Sequence, residues 1–295
     1  AYHGVGFGGI SVGGLPLNKK HFSVLENVDH VVTTHNLDKN AFSKGSPKWG
    51  MELADDLLRV IEKHGADQIA AFITEPIAGS TGVLIPPEGY LEKVREICTE
   101  HDILLIFDEV ITGFGRLGSP FAAQYFNVIP DIIVCAKGLT SGTVPMGAVM
   151  VKKEIYDTYQ YGDPKTIDFF HGYTYSAHPL AASAMIATLE VYLEEGLFDR
   201  VTQIASYWEE ALHSLKGVDH VVDIRNLGLV GGIEMSSSNG KIGKRGYDVF
   251  ESAFHDKNVL IRFTGDIIAL SPPLIAEKSH IDQIIDTLRQ IIPLH

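Results

Sequence analysis

Cysteine is scarce in this sequence, with Cys98 and Cys135 the only two in 295 residues. No metal-ligand spacing relates them, and the thirteen histidines are scattered without an arrangement such as H-E-x-x-H, so no metal site is expected. Positive charge is also short. Lys and Arg number 24 against 37 Asp and Glu, a formal net charge of −13 that argues against nucleic-acid and anionic-membrane partners. No apolar run reaches the length of a membrane helix, and no signal peptide opens the chain. The two cysteines sit in a helical pattern and a buried strand, so they read as reduced core thiols of a cytoplasmic protein. An initiator Met is missing ahead of Ala1-Tyr2-His3-Gly4.

What is present is an ordinary globular balance, 45% hydrophobic and 21% charged, that favours a small-molecule role. The stretch ILLIFDEVITGFGRLG, from Ile103 to Gly118, organises the rest. Five apolar residues, Ile103 to Phe107, predict a strand buried on both faces of a parallel sheet, and Asp108-Glu109 follows at once. In an open α/β sheet the carboxyl ends of the strands line the ligand crevice, so these acids point toward it. A second apolar run, Ile132 to Ala136, leads in the same way to Lys137 and a glycine-rich turn. Asp108 and Lys137 are therefore expected at one edge of one sheet. A charge directly after an apolar strand is costly unless it has a partner or a chemical task.

Around this centre, strands and helices alternate as in a parallel sheet with crossover helices. The spacing predicts a helix from Met51 to Gly65, a strand from Ile69 to Thr74 closing on Glu75, and a helix from Glu88 to His101. A short helix is expected over Phe121 to Phe126, and a strand over Gly147 to Val151. His30 to Thr34 reads as a short β-prone run. The loop from His171 to Pro179 leads into an Ala-rich helix ending near Glu194, whose Ala181, Ala182, Ala184 and Ala187 predict close packing. Beyond it come a helix to Lys216, strand-like runs at Val221–Arg225, Leu229–Glu234 and Val259–Arg262, and a closing helix over Ile281–Ile292. The expected division is a large cofactor-binding domain over 1–195 and a smaller α+β domain over 196–295. Gly4 to Gly9 satisfies G-x-G-x-x-G, but no strand precedes it and no amphipathic helix follows, so it reads as an active-site loop.

Together F-D-E-V-I-T-G-F-G-R, A-K-G-L-T and H-G-Y-T-Y-S-A-H-P resemble the class III aminotransferases, pyridoxal-phosphate enzymes of the type I fold. The resemblance covers essentially the whole chain. V-D-H near Asp29, N-A-F-S-K-G at Asn40 to Gly45, and G-D-I-I-A-L-S-P-P-L at Gly265 to Leu274 are most similar to members that move an amino group from an ω-amino acid or amine to pyruvate. The resemblance implies an α/β fold and pyridoxal 5'-phosphate as cofactor. Lys137 is then the Schiff-base lysine and proton shuttle, and Asp108 the partner of the pyridine nitrogen. Tyr2 and His3 of the Tyr-His-Gly segment lie at the cofactor. Val110, two residues past Asp108 on an extended chain, packs on the ring face opposite Tyr2. Thr174 reaches the cofactor phosphate from the other subunit of a homodimer. Arg262 takes the substrate carboxylate in a two-point fork, and Glu75 pairs with that arginine when the substrate has none there. The family's Gly-Ser phosphate turn lies upstream of Tyr-His-Gly, so the chain is expected to be N-terminally truncated. Two other readings stand beside this one: an NAD-dependent oxidoreductase using Gly4 to Gly9, and a catalytically silent fragment of an aminotransferase.

Overall fold

A computed structural model describes residues 1–161, 163, 165 and 172–295, so His171 of the H-G-Y-T-Y-S motif lies outside the described residues. Three short helices, α1 (Phe7–Val12), α2 (Pro16–Lys19) and α3 (Leu37–Asn40), precede the first long one, α4 (Asp56–His64), which Gly65 ends with φ +85°. Strands β1 (Ala71–Thr74), β2 (Leu104–Asp108), β3 (Ile132–Cys135) and β4 (Ala148–Val151) then lie side by side in chain order. The crossovers from β1 to β2, through α5 (Tyr90–Glu100), and from β2 to β3, through α6 (Ala122–Tyr125), make those three strands parallel. β4 turns back antiparallel on β3.

Leu105 and Phe107 are fully buried against Leu91, Val94, Ile97 and Cys98 of α5, while Leu104 and Ile106 on the opposite face are only partly covered. The central strand is thus sealed on one face rather than on both. Cys98 and Cys135 are free and buried, and among the described residues no helix is long and apolar enough to cross a membrane.

After α7 (Lys153–Thr158) come the paired helices α8 (Pro179–Glu194) and α9 (Leu197–His213) and a second sheet. It comprises β5 (Val221–Leu227), β6 (Val230–Met235), β7 (Arg262–Thr264) and β8 (Ile267–Leu270), ordered β5-β6-β8-β7 and antiparallel throughout. Helices α9, α10 (Lys244–Lys257) and α11 (Lys278–Ile291) pack against it through Trp208, Leu212, Val249, Ile281 and Leu288, all fully buried. Each such side chain contributes about 1.5–3 kcal/mol of transfer free energy.

Several local expectations are corrected. His30 to Thr34 forms no strand, because no neighbouring strand offers a ladder and the Val32 N–H donates instead to Asp56 Oδ2 at 2.8 Å. Gly4 to Gly9 is not all loop: α1 starts at Phe7 and packs so tightly that a Cβ on Gly9 would lie 2.1 Å from the His3 carbonyl. The apolar run at Val259–Arg262 signals core rather than strand. Val259 and Ile261 are buried, the Val259 N–H bonds the Ala253 carbonyl, and pairing begins only at Arg262. Helix α10 carried no clear sequence signal, since Gly243 stands at its N-cap and Gly246 in its first turn. On α8 only Ala181 of the four alanines is buried, and Ala187 is exposed.

The two sheets are joined by a buried cation. Arg225 on β5 donates to the carbonyls of Gly82 and Val83, in the loop beyond β1, and pairs with Asp223 and with Glu234 Oε2, the latter at 2.8 Å. Asp223 also accepts the Phe42 N–H, and Glu234 lies 3.1 Å from His35 Nε2. His35, Asp223 and Glu234 bring ligand atoms within 4.8 Å of one another, but the guanidinium already bonds both carboxylates and is the cation of this cluster. Arg225→Met leaves the fully buried Asp223 without its cation, so unfolding in urea is expected to lose about 3–5 kcal/mol. An unchanged midpoint would exclude Arg225 as the clasp.

A second anchor sets the turn beyond Arg262. Burial opposes the charge on Asp266, but the N–H groups of Gly243, Gly246 and Arg245 at the start of α10, with the Ser237 hydroxyl, outweigh it and hold the carboxyl below its usual range. A depressed carboxylate contributes stability that is complete above its unfolded pKa and is lost as pH falls through the folded one. Asp266→Ala is expected to cost about 1–2 kcal/mol at neutral pH. It should also flatten the acid limb of a stability–pH curve; a parallel, merely displaced curve would argue against the assignment.

Candidate active site

Register places the site. Asp108, the last residue of β2, lies opposite Val134 of β3, so the chain beyond Cys135 emerges at the same edge and Ala136 delivers Lys137 there. Glu75 follows β1 at that edge, Thr74 standing opposite Phe107. Arg262 comes from the second sheet, at the start of edge strand β7. The amine of Lys137 feels the charges of Arg262, Asp108 and Glu75, so these four groups share one region, as the sequence predicts for Asp108 and Lys137.

Their settings differ. Asp108 is buried, with His3 Nδ1 2.8 Å from Oδ2 and the Val110 N–H donating to Oδ1 at 3.1 Å. That second bond shows the chain turning directly after the strand. Val110 therefore does not continue on an extended chain from Asp108, and the alternation argument for its orientation does not hold. Glu109 points the other way and is fully buried, accepting from the Thr112 hydroxyl and the N–H groups of Ala122 and Ala123. Burial raises its carboxyl against those three donors. Two neighbouring acids thus divide the work: Glu109 ties down the following loop, and Asp108 faces the crevice.

Lys137 opens the 3-10 turn Lys137–Thr140 with φ +47°, a left-handed conformation that costs a non-glycine residue on the order of 1 kcal/mol. Partial burial, then the Arg262 charge, lower its pKa, against the opposing pull of Asp108 and Glu75. The residue remains exposed overall, so water moderates these effects. Next to it, a Cβ on Gly138 would stand 2.8 Å from Phe114 Cβ, so only glycine fits between the turn and that ring.

Glu75 is buried, Oε1 accepting from the Tyr2 N–H and Oε2 from the Gly79 N–H. Tyr2 is therefore placed beside Glu75 by its backbone. Arg262 is exposed, and no ion pair joins it to Glu75 among the described residues. Thr174 stands apart, exposed in the turn before α8.

Sequence reasoning missed two supports. Arg116 of the G-F-G-R loop is half-buried and donates to the carbonyls of Leu229 and Pro272, docking the second sheet on the loop after Asp108; desolvation lowers its pKa to about 10. The Tyr192 hydroxyl donates to the Gly138 carbonyl at 2.7 Å. G-F-G-R was visible in the sequence as a loop, but nothing local marks the acceptors of its arginine; Tyr192 occupies an ordinary helical position.

These features match known proteins along the whole chain. A sequence model described as aminotransferase class-III matches residues 1–292. An omega-aminotransferase of Caulobacter vibrioides is 59% identical over 292 residues, covering 99% of this chain and 66% of that relative. The omega-amino acid--pyruvate aminotransferase of Pseudomonas putida is 45% identical over 295 residues, covering 99% and 65%. Among solved structures, a thermostable (S)-enantioselective omega-transaminase from Thermomicrobium roseum superposes with a TM-score of 0.88 at 32% identity, covering 98% of this chain and 65% of that one. The chain thus spans about two thirds of the length of the relatives it matches. Its fold is the type I fold that these transaminases share, and with an aspartate and a lysine delivered to one sheet edge in the same order as the family's motifs, the chain belongs to the class-III aminotransferases.

Proposed function

We propose that this chain carries the catalytic core of a pyridoxal-phosphate-dependent aminotransferase that moves an amino group from an ω-amino acid or amine to pyruvate. The observation that carries this reading is the delivery of Glu75, Asp108 and Lys137 to one edge of the parallel strands, with Arg262 of the second sheet close enough to act on the Lys137 amine. The names of the C. vibrioides and P. putida relatives support the reaction class and the acceptor.

The residues fit the cofactor. Asp108 is a buried carboxylate whose two oxygens are held by His3 and the Val110 N–H, and it suits a cationic ring nitrogen. Bound there, pyridoxal 5'-phosphate supplies an electron sink for the carbon that carries the amine. In this reading Asp108 keeps the ring nitrogen charged, and His3 fixes the orientation of the carboxylate. Lys137, whose depressed pKa favours the free amine, holds the cofactor and moves a proton at the reacting carbon. Tyr2 and Val110 flank the ring, and Thr174 serves the phosphate of the other subunit in a homodimer.

Arg262 receives the carboxylate of the acceptor, with the Phe263-Thr264 strand and the Asp266-anchored turn holding its base. Glu75, held in place by the Tyr2 and Gly79 N–H groups, keeps acceptor sites for that arginine when the substrate has no carboxylate there. The division into a cofactor domain over 1–195 and a smaller domain over 196–295, and a cytoplasmic location, belong to the same proposal.

Two experiments test it. Borohydride reduction of the protein mixed with pyridoxal phosphate, followed by peptide mapping, is expected to leave a pyridoxyl group on Lys137; its absence there, in this chain and in a longer form that includes upstream sequence, would overturn the reading. Arg262→Ala in an active form should weaken use of pyruvate roughly ten- to hundredfold, the scale of a lost charge-assisted hydrogen bond of about 1.5–3 kcal/mol. A simple amine donor should be affected far less, and equal losses would remove the role given to Arg262.

A further inference from the structure

Helix α8 is apolar nearly all round, yet only Ala181 and Tyr192 of its sixteen residues are buried. Tyr192 lies with its ring between Phe114, stacked at 6.1 Å and 18°, and Phe198, at 5.5 Å. A phenylalanine would fill that space equally well. The hydroxyl adds a polar atom to the core, and such an atom costs about 1–3 kcal/mol if it finds no partner. Its partner is the carbonyl of Gly138, one residue beyond Lys137.

That carbonyl belongs to the turn from which Lys137 projects. Left-handed residues stand at both ends, Lys137 at φ +47° and Ser141 at φ +50°. The turn is closed by the Ser141 N–H on the Gly138 carbonyl at 3.2 Å and the Gly142 N–H on the Lys137 carbonyl at 3.1 Å. Phe114 blocks it on the Gly138 side. Its other ties, among them the Leu139 N–H on the Ala136 carbonyl and the Thr140 hydroxyl on the Val144 carbonyl, come from the same stretch of chain; the Tyr192 hydroxyl at 2.7 Å adds one from a different helix, on a side chain fixed in the core.

We propose that Tyr192 is a positioning residue for Lys137: through the Gly138 carbonyl it fixes the left-handed turn that presents the amine to Arg262, Asp108 and Glu75. The inference rests on the amine role of Lys137 proposed above. The charged groups facing Lys137 are Arg262 from β7, Asp108 from the end of β2 and Glu75 from the end of β1; the one facing Tyr192 is Arg116. Burial raises the phenol's pKa, against the Arg116 charge, which keeps it a neutral donor at physiological pH. Without the hydroxyl, the turn relaxes and the amine leaves the setting that depresses its pKa.

The test needs no cofactor. Trace acetylation with acetic anhydride across the alkaline range, read by peptide mapping, compares Lys137 with the other lysines of the same digest. The comparison is made for the natural chain, for Tyr192→Phe, and for Tyr207→Phe, which removes a surface hydroxyl bonded to Asp282. Lys137 of the natural chain is expected to react at lower pH than the other lysines. In Tyr192→Phe its profile should move to higher pH, with about three- to tenfold less label at a fixed mildly alkaline pH. Exchange of the Ser141 and Gly142 amides should quicken, while Tyr207→Phe leaves both readouts unchanged. A depressed natural profile that Tyr192→Phe does not move would overturn the positioning role alone. A natural profile matching the other lysines would overturn the amine role with it.

Discussion

Parallel pairing of β2 with β3 is the constraint on which the site depends. Only parallel strands with a crossover between them bring two chain-distant residues out at the same edge in the same sense, and the register of Asp108 on Val134 fixes how far apart they emerge. β1 adds Glu75 by the same rule. Three charges thereby sit at strand ends, where the ladder holds the backbone rigid and each stands at or just past the last paired residue. The fourth, Arg262, comes from another sheet, so its distance from Lys137 is set by whatever docks the two sheets together. Arg116 does that docking from the loop after β2, and Arg225 from β5 of the second sheet.

Buried charge is used in two ways. Arg225 and Glu109 are saturated with partners, and each fixes loops that carry no regular structure of their own. Asp108 and Lys137 are held less completely, and Lys137 keeps an open side. The contrast separates groups that hold the scaffold from groups that face a ligand, and it would not emerge from charge alone, because Asp108 and Glu109 are adjacent in the chain.

The sequence made the large sheet legible because each of its strands is a short apolar run closed by a charge, with the amphipathic helix 56–64 leading into the first and 90–100 joining the first to the second. It was least legible where apolar residues serve the core without a ladder, as at Val259 and Ile261, and where glycines broke a helical pattern, as in α10. His30 to Thr34 failed because β propensity is expressed only beside another strand. Of the site, Asp108 and Lys137 could be read from position alone. The turn at Val110 could not, nor could the donors that already occupy Glu75, because both arise from contacts across the fold. The links from Tyr192 to Gly138 and from Arg225 to Gly82 span 54 and 143 residues, and no local pattern encodes such partners.

The Arg225 clasp also bears on the order in which the molecule is made. Its partners run from His35 and Phe42 through Gly82 to Glu234, so the loop following Glu75 receives its final anchor only when β6 has left the ribosome. Until then the carbonyls of Gly82 and Val83 have no guanidinium to receive, and the turn between β1 and α5 lacks the contact that fixes it in the folded chain. The loop that donates the Gly79 N–H to Glu75 is therefore among the last parts of the first sheet to be fixed as the chain grows.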